Sequence, residues 1–229
     1  METTEIILIR HGETAENLQG ILQGHLDTVL NANGIAQAEA AARRLKREAP
    51  FQALYSSDLK RAAMTAEIIA GYLRLPVNLN PRLREWHLGE YEGRNWKELE
   101  EHAKPVMEAF RHEPRQEIKI SGGETRAEFQ LRVEAVMNHI AAENAGRRVL
   151  IVTHGGVLLS IFRYVVGATE SCNLLPLLSN TGYHRIVRRG SGAWQLCVWN
   201  DIMHLADSRC QGIRYAPSEP HGEEEEGFF

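Results

Sequence analysis

Cysteine is scarce in this chain: Cys172, Cys197 and Cys210 are the three among 229 residues. An odd number, widely spaced and without a CxxC pair, argues against a disulfide framework or a zinc knuckle and fits a reducing compartment. None of the three is followed six residues later by arginine, so the loop of a cysteine phosphatase is missing. Long apolar runs are missing too. The longest, from Gly155 to Ala168, contains Arg163 and is too short to span a bilayer. The N-terminus lacks a basic segment ahead of its four-residue apolar run, Ile6 to Ile9, and no signal peptide is expected. A cytoplasmic location follows as the expectation. Excess charge of one sign is also absent: 26 basic and 30 acidic residues give a net charge of −4. Five of the acids (Glu219 and Glu223 to Glu226) lie in the last fourteen residues, so the body is close to neutral. No nucleic-acid partner and no membrane partner are expected, because either would need a broad basic face. No lysine stands between glycine and Ser or Thr as in a P-loop, and there is no DxD and no HExxH.

The chain does contain a regular alternation of patterns. Glu5 to Arg10 and Val149 to Thr153 are short runs rich in β-branched residues, and Ala53 to Ser56 is a weaker third. Continuous rather than alternating apolar character suggests strands covered on both faces, as in a parallel sheet. Between them apolar residues recur every three or four positions: Ile35 to Leu45, Leu59 to Leu73 and Phe129 to Ile140. These are helices with one apolar stripe, and Thr125 with Glu128 forms a capping box for the last. A looser helical stretch runs from Trp96 to Phe110, interrupted at Pro105, and another helix starts near Gly155. Tyr183–Arg189 and Trp194–Asn200, joined by Gly190-Ser191-Gly192, read as a hairpin near the sheet edge. The expected fold is α/β in three layers, with a mostly parallel central sheet flanked by helices. Residues 1–215 form its one domain; the Pro/Glu/Gly tail of residues 216–229 is too polar to order itself.

Ligands of such sheets sit beyond the carboxyl ends of the strands. There the sequence places Arg10-His11-Gly12, Ser57-Asp58-Leu59-Lys60-Arg61, and Thr153-His154-Gly155-Gly156. If these strands are neighbours, two guanidinium groups, two imidazoles and the amides of a helix start converge on one spot. That is a pocket for a phosphate-sized anion. The two arginines disfavour a third cation, so a histidine beside them stays neutral and keeps a lone pair that can attack phosphorus. Fixed cations then neutralise the phosphoryl oxygens, and no metal or other cofactor is expected. A leaving alkoxide still needs a proton. The loop from Leu83 to Gly93 offers Glu85, Glu90 and Glu92, and a carboxylic acid beside a bound phosphate is biased toward its protonated form by like charge.

Arg10-His11-Gly12-Glu13-Thr14 with Asn17, Ser56 to Ala62, Thr65-Ala66, Leu83-Arg84-Glu85 with Gly89 and Glu92-Gly93, Gly122-Gly123-Glu124 and Thr153 to Gly156 together resemble the histidine phosphatase superfamily, in its phosphoglycerate mutase-like branch. The resemblance runs in order from about residue 5 to residue 205. It implies that His11 is the phosphorylated nucleophile and Glu85 the proton donor. Arg10, Arg61 and His154 would bind the phosphoryl group, supported by Thr14, Asn17 and the Gly155 amide. Gln23 and Gly24 would lie on the loop facing the substrate, and His87 and His204 are kept as substrate contacts. The remaining histidines, His25 among them, are expected to be surface or satisfied core residues. The partner is a small phosphorylated metabolite, such as phosphoserine, a phosphoglycerate or a sugar phosphate, and the resemblance allows a homodimer. Hydrolysis is favoured over phosphoglycerate mutation, because Arg94, Arg111, Arg115 and Arg126 are scattered and the segment between Glu85 and His154 is short for a mutase cap. A third reading is a silent member that binds phosphorylated ligands or proteins. It would be expected to lack His11, Arg61 or His154, and all are present.

Overall fold

A computed structural model describes residues 2–102, 120–168 and 176–206. Its frame is a six-stranded sheet in the order β3-β2-β4-β1-β5-β6. The strands are β1 (Thr3–Arg10), β2 (Ala53–Ser56), β3 (Val77–Leu79), β4 (Arg148–Thr153), β5 (Tyr183–Arg189) and β6 (Trp194–Asp201). The first four are parallel; β5 joins β1 antiparallel and carries β6 as the edge. The mostly parallel sheet and the hairpin at its edge are those expected from the sequence. Strand β3 escaped the sequence pattern because it has three residues, two of them exposed, and is recognisable by its pairing with β2.

Alternation of side chains along a strand divides the core in two. Ile6 and Leu8 of β1 point to one face, where Phe129, Val133, Val136, Met137 and Ile140 of α5 (Arg126–Glu143) and Val157, Leu158 and Ile161 of α6 (Gly155–Val166) cover them. Ile7 and Ile9 point to the other face, against Ala42 and Leu45 of α2 (Ala32–Glu48) and Ala62, Ala66 and Ile69 of α3 (Lys60–Leu73). This gives three layers, and it explains why β1 and β4 read as unbroken apolar runs: both faces are buried.

Two short helices complete the described part, α1 (Ala15–Gln19) and α4 (Trp96–His102). The expected continuation of α4 past Pro105 and the acidic tail at 216–229 lie outside the described residues. No helix among the described residues is long and apolar enough to cross a membrane.

Candidate active site

The register of the sheet assembles the cluster. Arg10 lies opposite Thr153, so the next residues on those strands, His11 and His154, face each other with ring centroids 5.2 Å apart. Ser56 lies opposite Val152, which brings Ser57 beside His154, with Oγ 2.8 Å from Nε2. Nδ1 of His11 donates to the Gly12 carbonyl at 2.7 Å. A carbonyl only accepts, so Nε2 carries no proton in the neutral ring and holds the free lone pair. Burial pulls the His11 pKa well below the usual value, and Arg61 and Arg10 pull it further. His154 is lowered well below it as well, by burial first and then by Arg61, His11 and Arg10. Both rings are therefore neutral at physiological pH.

Arg61, in the first turn of α3, is 1% exposed. Nη1 donates to the Leu26 carbonyl at 2.7 Å and Nη2 to the Gly24 carbonyl at 2.8 Å, so the guanidinium also ties down the loop after α1. Its Nε is buried with no partner among the described residues, as is Nε of Arg10. Arg10 reaches sideways to donate Nη1 to the Leu178 carbonyl. Two buried guanidinium groups with unpaired donors beside a neutral imidazole can receive an anion, since such donors are costly to leave unmet. They open on a cavity of about 280 Å³ that His11, Arg10, Arg61, Asn17, Gln23, Gly24, Glu85 and Gly155 help to line.

Glu85 is the carboxylate of its loop that reaches this cavity. Oε2 accepts from the Gly156 amide and Oε1 from the Trp86 amide, both at 2.9 Å. The approach needs glycine at 156, where an added Cβ would stand 2.3 Å from Glu85 Oε1. Glu92 turns away; its Oε1 accepts from the His25 and Leu88 amides. Glu90 is exposed and meets Ser121 through its backbone amide. Behind Glu85, Arg132 spends all five N–H donors. Nε and Nη2 chelate Glu124, and Nη1 and Nη2 hold the carbonyls of Arg82, Arg84 and Glu85.

The structure brings some expected site residues together and separates others. Asn17 lines the cavity; its Oδ1 accepts from the Thr14 amide, which closes a capping box with Thr14 at the start of α1. Thr14 itself is buried and does not line the cavity, so its placement is that of a cap. His154 is fully buried behind His11 and is not part of the cavity wall. His87 is also outside the wall: it stacks on His25 at 4.4 Å and is 38% exposed in its side chain. His204 is corrected most clearly. It lines a different cavity with Arg43, Arg44, Arg47 and Asp201, because the turn that carries it packs against α2.

Other residues were missed by sequence reasoning. Nε2 of His25, expected to be only a surface or satisfied core residue, donates to the Glu85 carbonyl at 2.8 Å. Asn180 donates to the His11 carbonyl at 3.0 Å, and Thr181 donates its amide to the Arg10 carbonyl at 3.1 Å, bracing the end of β1. Arg126 lines the cavity from the start of α5, where it read as an ordinary helix opening. The one available signal was Gly122-Gly123 just before it. Gly89, at φ +48°, and Gly123 pack backbone against backbone with the facing loop, which draws the start of α5 to the loop of Glu85.

Fold and cluster together define an α/β protein with a buried Arg/His cluster at the carboxyl ends of its parallel strands. The chain matches the histidine phosphatase superfamily (branch 1) over residues 6–202, and it belongs to that family. It is 38% identical over 207 residues to a metal-independent phosphoserine phosphatase of Arabidopsis thaliana, covering 90% of this chain and 84% of the relative. It is 35% identical over 210 residues to phosphoglycerate mutase-like protein 4 of Arabidopsis thaliana, covering 91% and 90%. Among solved structures it superposes on a mycobacterial glucosyl-3-phosphoglycerate phosphatase in complex with VO3, with a TM-score of 0.76 and 29% identity over 86% of this chain and 98% of that one.

Proposed function

We propose that this protein hydrolyses a small phosphomonoester through a phosphohistidine at His11. The observation that carries the reading is the pair of buried, unpartnered guanidinium Nε atoms of Arg10 and Arg61 beside an imidazole that burial and those same cations hold neutral. In the first step Nε2 of His11 attacks phosphorus and the P–O bond to the leaving group breaks. Glu85 delivers its proton to the departing oxygen, so an alcohol leaves rather than an alkoxide. A phosphate arriving beside the carboxylate favours the protonated acid by like charge. In the second step water attacks the phosphohistidine, gives a proton to Glu85, and inorganic phosphate leaves. Arg10 and Arg61 neutralise the phosphoryl oxygens throughout, with the free amide donor of Asn17 within the same wall. His154 supports the ring of His11 from behind, and the Gly155 amide begins the helix that faces the anion.

The names of the relatives support a small phosphorylated metabolite as substrate. The test is release of inorganic phosphate from a panel of phosphomonoesters in excess chelator, run beside an assay for interconversion of 2- and 3-phosphoglycerate. Phosphate release without metal is the expected outcome. Interconversion that outpaces release would replace the hydrolase by a mutase. Activity lost in chelator and restored by Mg²⁺ or Zn²⁺ would remove the mechanism.

A further inference from the structure

Arg126 walls the catalytic cavity and has no place in the chemistry above. It is 7% exposed, and among the described residues it makes no hydrogen bond or ion pair. Its guanidinium lies over the Trp86 ring at 5.5 Å, and Trp86 in turn stacks on Phe129. Burial, with a smaller push from Arg163, brings its pKa down to about 10, which leaves it charged at neutral pH. A buried cation without a counter-anion is costly, and one kept in a cavity wall marks a position where a ligand supplies the missing charge. Its anchoring is firm: Thr125 caps α5 immediately before it in a reciprocal box with Glu128.

The surrounding wall narrows the choice of ligand. Phe129, Leu159, Leu178, Leu88 and Trp96 are apolar neighbours in the same cavity. The hydroxyl groups of a sugar would find few partners on such a wall, and a guanidinium donates but cannot accept. A second phosphate would bring two charges to a single guanidinium. A carboxylate carries one charge and matches the guanidinium fork with two parallel hydrogen bonds. Resting on the phosphatase reading, we propose that the substrate is a phosphorylated carboxylic acid, with its phosphate at His11 and its carboxylate on Arg126. Arg126 would then set specificity rather than perform catalysis.

Matched esters that differ in the carboxylate test this: O-phosphoserine against O-phosphoethanolamine, and 3-phosphoglycerate against glycerol 3-phosphate. The wild-type protein should prefer the acid of each pair by about 10- to 100-fold in kcat/KM, the range of a charged hydrogen-bonded contact. Arg126→Met should bring that ratio toward one, chiefly by raising KM for the acids, and Arg126→Lys should retain part of it. A wild-type ratio near one, or a ratio that Arg126→Met does not move, overturns the proposal and leaves the phosphatase reading standing. No phosphate from any of the four esters also overturns the proposal, while phosphate released from other members of the wider panel keeps the phosphatase reading. The wild-type comparison needs no variant to fold.

Discussion

Gly156→Ala should separate catalysis from stability at this site. The added methyl would stand 2.3 Å from Oε1 and 3.1 Å from Cδ of Glu85. A carbon and an oxygen need more than 3 Å, so the carboxylate must withdraw by roughly 1 Å, the scale on which misplacement of a reacting group costs about 10²-fold in rate. The fold should tolerate the change, because what yields is the end of a flexible side chain rather than backbone. The hydrogen bond from the Gly156 amide to Glu85 is worth about 1 kcal/mol net. Alanine in a helix is favoured over glycine by roughly 0.5–1 kcal/mol, which offsets most of that loss. Thermal unfolding should shift by no more than a few degrees. Because the damage falls on the carboxylate proposed as proton donor, it should depend on the leaving group. With glycerol 3-phosphate, kcat/KM should fall by about 10²-fold, inside the ~10²–10⁴-fold range of general acid catalysis. With p-nitrophenyl phosphate, whose leaving group needs no proton, it should barely change, provided phosphoenzyme formation limits the rate. Glu85→Gln should show the same split, and adding Gly156→Ala to it should cost little more, since both act through one carboxylate. Equal slowing of both esters would mean that Glu85 positions substrate and does not donate the proton. Unchanged hydrolysis of glycerol 3-phosphate would refute the reasoning altogether.

Arg61→Lys keeps a charge but cannot hold the Leu26 and Gly24 carbonyls and a phosphoryl oxygen at once; kcat/KM should fall by at least about 10²-fold, the scale of losing one preorganised donor to the transition state, and near-wild-type kinetics would reduce Arg61 to a scaffold residue. Acid should destabilise the fold steeply. His11 and His154 are lowered well below 6.5, and burial pulls His184 to about 3 and His204 to about 4. Each stays neutral in the folded chain while the unfolded chain binds its proton below about 6.5, so each removes ~1.4 kcal/mol per pH unit as pH falls from there toward its folded value. Urea unfolding should show several kcal/mol less stability at pH 5 than at pH 7, and equal midpoints would contradict the buried neutral rings.

The clustering of the candidate site was legible in the sequence where its residues follow a strand directly. Arg10-His11 and Thr153-His154 each end an unbroken apolar run, and a strand buried on both faces advertises itself by that run. Arg61 was legible because Ser56 to Arg61 joins strand to helix in six residues. Contacts across loops were not. Glu85 meets Gly156 over 71 positions, and nothing local separates it from Glu90 and Glu92; what selects it is the clamp of Arg132 and His25 on its backbone. His204 was misplaced for the same reason, since the short turn of Met203–Leu205 follows β6 and its packing on α2 leaves no periodic signal. Arg126 is a helix-start arginine in sequence and a cavity wall in the fold, a difference made by two glycine loops packing backbone to backbone.

The central claim is that His11 carries the phosphoryl group, and trapping the intermediate tests it most directly. A phosphoramidate is stable in alkali and labile in acid, the reverse of a phosphoserine. Wild-type protein quenched within one turnover of a ³²P-labelled phosphomonoester should hold label that survives alkali and is lost in acid, and His11→Ala should hold none. Label that persists in His11→Ala, or product formed with no labelled protein at any quench time, would contradict the account.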